Sequence, residues 1–167
     1  MMTSRAEYRL LLRQDNADLR LTETGYEIGL VSPERLKRVR EKRRLIESET
    51  ERLKQIPVGA NAKVQSLLAE YGSAPLTTGV TLADLIRRPE LDYESTAEID
   101  AQRPGLPADV REQVGIQIKY DGYIKRQIQQ VNMSDKLEKI RIPDDIDYKS
   151  IQHISIETRD KLAKIRP

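Results

Sequence analysis

The chain contains no cysteine, which removes disulfides, thiolate nucleophiles, zinc ribbons and iron–sulfur ligation together and fits a reducing, cytoplasmic setting. Its single histidine, His153, leaves catalytic triads, His-rich metal sites and the H-E-x-x-H motif without a second member. Phe and Trp are absent, so the core has to be built from Leu, Ile and Val, with seven Tyr as the only aromatics. No segment approaches the roughly 18 consecutive apolar residues of a membrane span, and the first seven residues lack the apolar centre of a signal peptide, so neither membrane nor secretion is expected. None of the eight glycines forms a G-x-G-x-x-G or G-x-x-x-x-G-K-[ST] loop. A self-contained flavin, nicotinamide or nucleotide enzyme is thereby not expected.

What the sequence does have is charge. Among its 167 residues, 29 Lys and Arg face 27 Asp and Glu, a net charge of +2 that is unevenly spread. Residues 33–54 carry nine basic and five acidic side chains, residues 84–100 two and six, and residues 111–141 seven and four. Two basic segments thus flank an acidic one. Basic stripes serve phosphate contact or simply a solvated helix face, and both readings stand at this point.

Apolar spacing organises the rest. Residues 5–13 alternate as a short strand or extended arm with Tyr8, Leu10 and Leu12 on one side, but no partner strand follows. Leu21–Leu30 reads as a short helix capped by Thr22. Ser32 and Pro33 then open a long helix in N-cap and N1 order, closed by Pro57 and Gly59. Its heptad seam of Leu36, Val39, Ile46 and Leu53 is interrupted by Arg43 and Thr50, which predicts weak packing or a polar partner. A helix around Val64, Leu67, Leu68 and Tyr71 stops at Gly72, and Thr81 with Asp84 opens another that ends by Pro89. Residues 90–107, with Pro104, Gly105 and Pro107, read as a linker.

From Pro107 the spacing of Val110, Val114, Ile118, Ile124, Ile128 and Val131 predicts a helix of about 25 to 30 residues. Gly115 and Gly122 share one face of it beside Lys119; helix packing is the plainer reading, contact with a nucleic-acid backbone the alternative. Ser155 caps a last helix with Leu162 and Ile165 inward. The expected class is all-α: two long helices, short helical hairpins and an extended N-terminal arm. The corresponding domains are residues 1–22 as the arm, 23–142 as the main helical domain and 143–167 as the start of a C-terminal helical subdomain.

Two constellations carry chemistry. Arg5, Arg9, Arg13 and Arg20 alternate with Glu7, Asp15, Asn16 and Asp18, suited to bidentate phosphate contacts or to pairing among themselves. In Gln117–Gln127, Lys119, Lys125 and Arg126 interleave with Tyr120 and Tyr123, a combination that stacks bases and holds phosphates, or that packs helices. Arg35, Lys37, Arg38, Arg43 and Arg44 form a further stripe suited to steering an anion. Asp144, Asp145 and Asp147 lack the glycine turn and terminal Glu of a calcium loop and read as capping residues, and His153 as a loop residue; no metal site is expected.

The run Thr3-Ser4-Arg5-Ala6-Glu7-Tyr8-Arg9 through Arg20-Leu21-Thr22, followed by Gly25-Tyr26-Glu27 and Gly29-Leu30, closely resembles the signature near the end of the flavin-binding part of the MnmG/GidA family, the tRNA uridine 5-carboxymethylaminomethyl modification enzymes. The likeness continues at Arg87-Arg88-Pro89-Glu90 with Tyr93, at Glu112 to Gln127, at Ile146-Asp147-Tyr148 and at Ser155 to Pro167. Met2 and Gly115 depart from the usual family residues, and 56–80 and 95–110 match nothing familiar.

The resemblance implies an enzyme that binds FAD, uses NADH and, with the GTPase MnmE and a folate-derived carbon, modifies carbon 5 of the tRNA wobble uridine, working as a homodimer. It implies that this chain is the C-terminal helical region, with the dinucleotide fold upstream and further helices downstream. The chain alone is then not an enzyme and holds no cofactor. Its expected role is docking of tRNA and of the GTPase, with Tyr8, Arg5, Glu7, Arg9, Arg13 and Arg20 bordering the flavin domain. The alternative is a purely structural helical interaction module. Salt-sensitive RNA binding separates the two.

Overall fold

The computed structural model describes residues 8–141, 143 and 146–166. Among them are six α-helices and one antiparallel pair of two-residue strands, so the class is all-α. The chain divides into two compact units, Met1–Gln127 and Ile128–Pro167.

In the first unit, helix α1 spans Ala17–Glu27, beginning four residues ahead of the expected Leu21. Thr22 is buried within the helix and does not cap it. The earlier start follows from side chains outside the apolar pattern. Asp18 sits in the first turn, where the helix dipole favours an acid, and Arg20 Nε donates to Asn16 Oδ1 at 2.9 Å. Residues 8–13 are turns, not a strand. Leu11 and Leu12 N–H both donate to the Tyr8 carbonyl, at 2.8 and 3.0 Å, which satisfies locally what a missing partner strand would have satisfied. Arg5, Glu7 and the rest of residues 1–7 lie outside the described residues.

Helix α2, Pro33–Gln55, is capped by Ser32, whose Oγ accepts from Arg35 N–H. Leu36, Val39, Ile46 and Leu53 are buried along its seam. Of its two polar gaps one meets a polar partner: the Arg43 guanidinium donates to the Leu19 carbonyl and to Glu23 Oε1 (3.2 Å) on α1, whereas the buried Thr50 hydroxyl has no hydrogen-bond partner among the described residues. Lys42 reinforces the same join with Asp18 at 2.9 Å and reaches Asp109 at 3.2 Å. Burial works against the Lys42 charge, but hydrogen bonds to both carboxylates outweigh it and raise its pKa.

Strand β1 (Pro57–Val58) pairs with β2 (Val80–Thr81), Pro57 opposite Thr81 and Val58 opposite Val80. Between them lies α3, Ala62–Glu70, capped by Asn61 and ended by Gly72 at φ +65°. Gln65 holds the following loop with both ends of its amide, donating to the Leu76 carbonyl at 2.8 Å and accepting from its N–H at 3.2 Å. Helix α4, Leu82–Ile86, opens on a complete capping box: Thr81 Oγ1 accepts from Asp84 N–H, and Asp84 accepts from Thr81 N–H at 3.0 Å. The core gathers Ile46, Leu53, Leu68, Leu85, Ile86, Leu91, Val110, Val114 and Ile118.

Residues 90–107 are not a linker. Leu91, Tyr93, Ser95, Thr96 and Asp100 are all buried. The segment is held by an ionic cluster that the proline and acid content conceals. Arg52 forks between Glu49 (Nη2 to Oε1, 2.6 Å) and Asp100 (Nη1 to Oδ1, 3.1 Å), and the Tyr93 hydroxyl donates to Glu49 Oε1 at 2.8 Å. Arg103 lies 4.0 Å above the Tyr93 ring. Hydrogen bonds to Glu49 and then Asp100 raise the Arg52 pKa against burial, while burial and Glu49 push the Tyr93 phenol up. Both groups stay protonated across the physiological range.

Helix α5 spans Ala108–Glu138, 31 residues, opening where the Pro107 carbonyl accepts from Val110 and Arg111. In the second unit, α6 (Ile156–Ile165), capped by Ser155, packs on a 3-10 turn at Tyr148–Ser150 whose Tyr148 is buried. Ile165 is 70% exposed rather than inward. The calcium-loop candidates Asp144 and Asp145 lie outside the described residues, and Asp147 caps the 3-10 turn.

Candidate nucleic-acid interface

The middle of α5 carries the densest chemistry. Ile118 is buried in the core, which fixes the rotation of the helix and turns the residues around it outward. Lys119, Gly122, Tyr123, Lys125 and Arg126 line a shallow depression of about 410 Å³ whose far side is Arg87, the C-cap of α4. Four cations therefore share one concavity with a single lining carboxylate, Asp121. Tyr120 and Tyr123 are 42% and 58% exposed, with ring centroids 6.4 Å apart and a 55° tilt.

Three of these cations have acidic neighbours. Lys125 Nζ lies 2.8 Å from Asp121 Oδ2, one helical turn away, and Arg87 bonds to Asp84. Both pairs are solvent-exposed and open readily to a stronger anion. Lys119 faces Asp92, whose carboxyl is held below the usual carboxylate range. The Ser95 N–H is the main cause, burial opposes it, and the Lys119 charge adds to it. Such a surface has the chemistry to hold a polyanion at several points. The described residues offer no group of three acidic, His or Cys residues able to hold a metal ion.

The other candidates divide. On α2, Arg35, Lys37 and Arg38 are exposed and make no ion pair among the described residues. Arg44 is clamped by Glu41 (2.6 Å), and Arg43 joins α2 to α1. On the N-terminal side Arg13 bonds to Asp15 and to the Leu10 carbonyl, and Arg20 to Asn16 and the Arg13 carbonyl, so both hold local structure. Arg9 is exposed and Tyr8 half-buried. Sequence reasoning missed Arg87 as a member of the α5 cluster. The doublet Arg87-Arg88 signals it, but only the fold separates the two: Arg88 is spent on Ser73 Oγ and the Ala74 carbonyl.

Fold and site together define an all-helical domain that presents a cationic, tyrosine-bearing surface. The chain belongs to the MnmG/GidA family of tRNA-modifying enzymes: residues 33–128 match the profile of the family's C-terminal helical domain and residues 129–167 that of its C-terminal helical bundle. Over its whole length the chain is 55% identical to the tRNA uridine 5-carboxymethylaminomethyl modification enzyme MnmG of Caldicellulosiruptor saccharolyticus and 52% identical to that of Lachnoclostridium phytofermentans. It spans 27% of the length of each of these curated relatives. Among solved structures, GidA of Aquifex aeolicus in its form II crystal superposes with a TM-score of 0.67 and 36% identity, over 98% of this chain and 25% of that one.

Proposed function

We propose that the chain is the tRNA-docking part of an enzyme that modifies carbon 5 of the wobble uridine in the cytoplasm, and that by itself it catalyses nothing. The observation that carries this reading is the convergence of Arg87, Lys119, Lys125 and Arg126 around one concavity beside Tyr123. Cations at several points neutralise successive phosphates, and exposed tyrosines offer faces on which unpaired bases stack. The exposed Arg35, Lys37 and Arg38 on α2 add long-range attraction.

FAD and NADH belong, on this reading, to other parts of the whole enzyme. The residues present do not fit a dinucleotide, because the sequence lacks the glycine-rich turn that brings a pyrophosphate against a helix N-terminus. Tyr8, Arg9, Arg13 and Arg20 are assigned to the border with the flavin domain, and the GTPase MnmE and a second copy of the enzyme complete the set of partners. A second reading, a helical module that binds only protein, draws on the exposed Ile128, Met133, Leu137 and Ile140.

Titrating the chain with tRNA at two salt concentrations decides between them. Docking through phosphates predicts binding that collapses as salt rises. Binding to a protein partner with no salt-sensitive tRNA binding establishes the second reading instead.

A further inference from the structure

The two glycines of α5 are not equivalent. A glycine inside a helix is disfavoured relative to alanine, so each needs a reason to be there. At Gly115 a Cβ would sit 3.9 Å from Tyr93 Cβ, in ordinary contact with the packed 90–107 segment. At Gly122 a Cβ would meet nothing within 4 Å. Nothing described in the chain makes use of the missing side chain, yet the residue lines the same depression as Arg87, Lys119, Lys125 and Arg126.

We propose that Gly122 is the point at which the sugar-phosphate backbone of bound RNA comes closest to the protein, an inference that rests on the tRNA-docking function above. The backbone N–H of Gly122 is committed inside the helix, so the contribution of the glycine is steric. A bare helix surface lets a phosphate and its ribose settle to van der Waals contact, where guanidinium and ammonium groups on both walls reach the same anion. Any side chain there lifts the strand away from both walls together. The lining separates RNA from a partner helix. Close helix–helix approach also favours glycine, but a protein backbone brings no charge to a site where Arg126 has no acidic partner among the described residues and Arg87, Lys119 and Lys125 have only the surface acids Asp84, Asp92 and Asp121. A phosphodiester strand brings one charge per residue, and Arg87 and Arg126 carry the planar fork that suits phosphate oxygens. Their present counter-charges, Asp84 for Arg87 and the half-buried Asp121 for Lys125, both keep contact with solvent and are exchangeable.

The test compares Gly122→Ala with Gly115→Ala and Lys125→Ala in the full 167-residue chain, reading thermal melting and anisotropy of a labelled tRNA transcript at low and high salt. Because a Cβ at residue 122 meets nothing in the chain, Gly122→Ala is expected to raise Tm by about 2–4 °C. The same change is expected to weaken tRNA binding at least tenfold, whereas Gly115→Ala leaves binding unchanged. Opposite signs on stability and affinity are what an ordinary packing glycine does not produce. Raised Tm with unchanged tRNA affinity overturns the inference and spares the docking reading, provided Lys125→Ala still weakens binding. A lowered Tm also overturns it, since the glycine then serves the fold. So does loss of binding to a protein partner with tRNA affinity intact. Absence of any salt-sensitive tRNA binding by the unsubstituted chain overturns the docking reading and this inference with it.

Discussion

Around Arg52 one guanidinium faces Glu49 and Asp100, whose side chains are 3% and 4% exposed, and a tyrosine hydroxyl takes up part of the remaining acceptor capacity. Around Arg126 four cations share an open depression with three acids in reach, Asp84, Asp92 and Asp121, and Arg126 itself has no acidic partner among the described residues. The residue types are the same and the balance is opposite. Buried charges must be matched within the chain, because an unpaired carboxylate taken out of water is strongly unfavourable. Exposed charges need no match, so a surplus of one sign at the surface is free to serve an outside partner. The Arg52 cluster therefore reads as a clamp that holds residues 90–107 on α2, and the α5 depression as a surface directed outward.

Breaking the clamp should have the largest effect. Arg52→Met leaves Glu49 and Asp100 buried and uncompensated and is expected to lower stability by about 3 kcal/mol, measured by urea unfolding. Tyr93→Phe keeps the ring under Arg103 but removes the hydrogen bond to Glu49, for a loss of about 1–2 kcal/mol in the same assay. If both variants unfold like the parent chain, the clamp is not what holds the segment.

Asp84 tests the boundary between the two regions, since it caps α4 and also engages Arg87. Hydrogen bonds from the Thr81 hydroxyl and then its N–H hold the Asp84 carboxyl below its ordinary value of 3.8, against burial and with help from Arg87. A depressed folded pKa stabilises above the unfolded value and loses that contribution as pH falls through the folded one. Asp84→Asn should therefore cost about 1 kcal/mol at neutral pH. The gap between variant and parent should close below pH 3.8 in an acid unfolding series. Because the substitution frees Arg87, tRNA affinity is expected to hold or rise.

Lys125→Ala and Arg126→Ala should barely move stability, within about 0.5 kcal/mol. Each removes one cation from the α5 depression and, if that depression docks tRNA, should lower the slope of log affinity against log salt by about one. A slope that does not change would assign these side chains to protein contacts.

The helix starts at Ser32-Pro33, Thr81-Asp84 and Ser155, and the stop at Gly72, were readable from the chain, because a cap is made by residues within three positions of one another. The cationic group of α5 was readable for the same reason, being two turns of one helix. Arg87 was not, since it joins that group only when α4 is packed beside α5. The β1–β2 pair was hidden by its brevity and by the 22 positions that separate Val58 from Val80. Residues 90–107 looked like a linker because acids, proline and glycine usually mark solvent. What buries them is Arg52, 48 residues from Asp100, and Glu49, 44 residues from Tyr93.

By itself, then, the sequence determined the all-α class, the two long helices, the Ser32 cap of α2 and the cationic stretch of α5, all of which depend on interactions within a few residues. Only the tertiary structure decided which charges are matched and which are surplus. That distinction depends on burial and on partners dozens of positions away, such as Asp15 receiving a hydrogen bond from Gln113 across 98 residues, and the cost of an unmatched charge appears only once a neighbouring element has excluded the water around it.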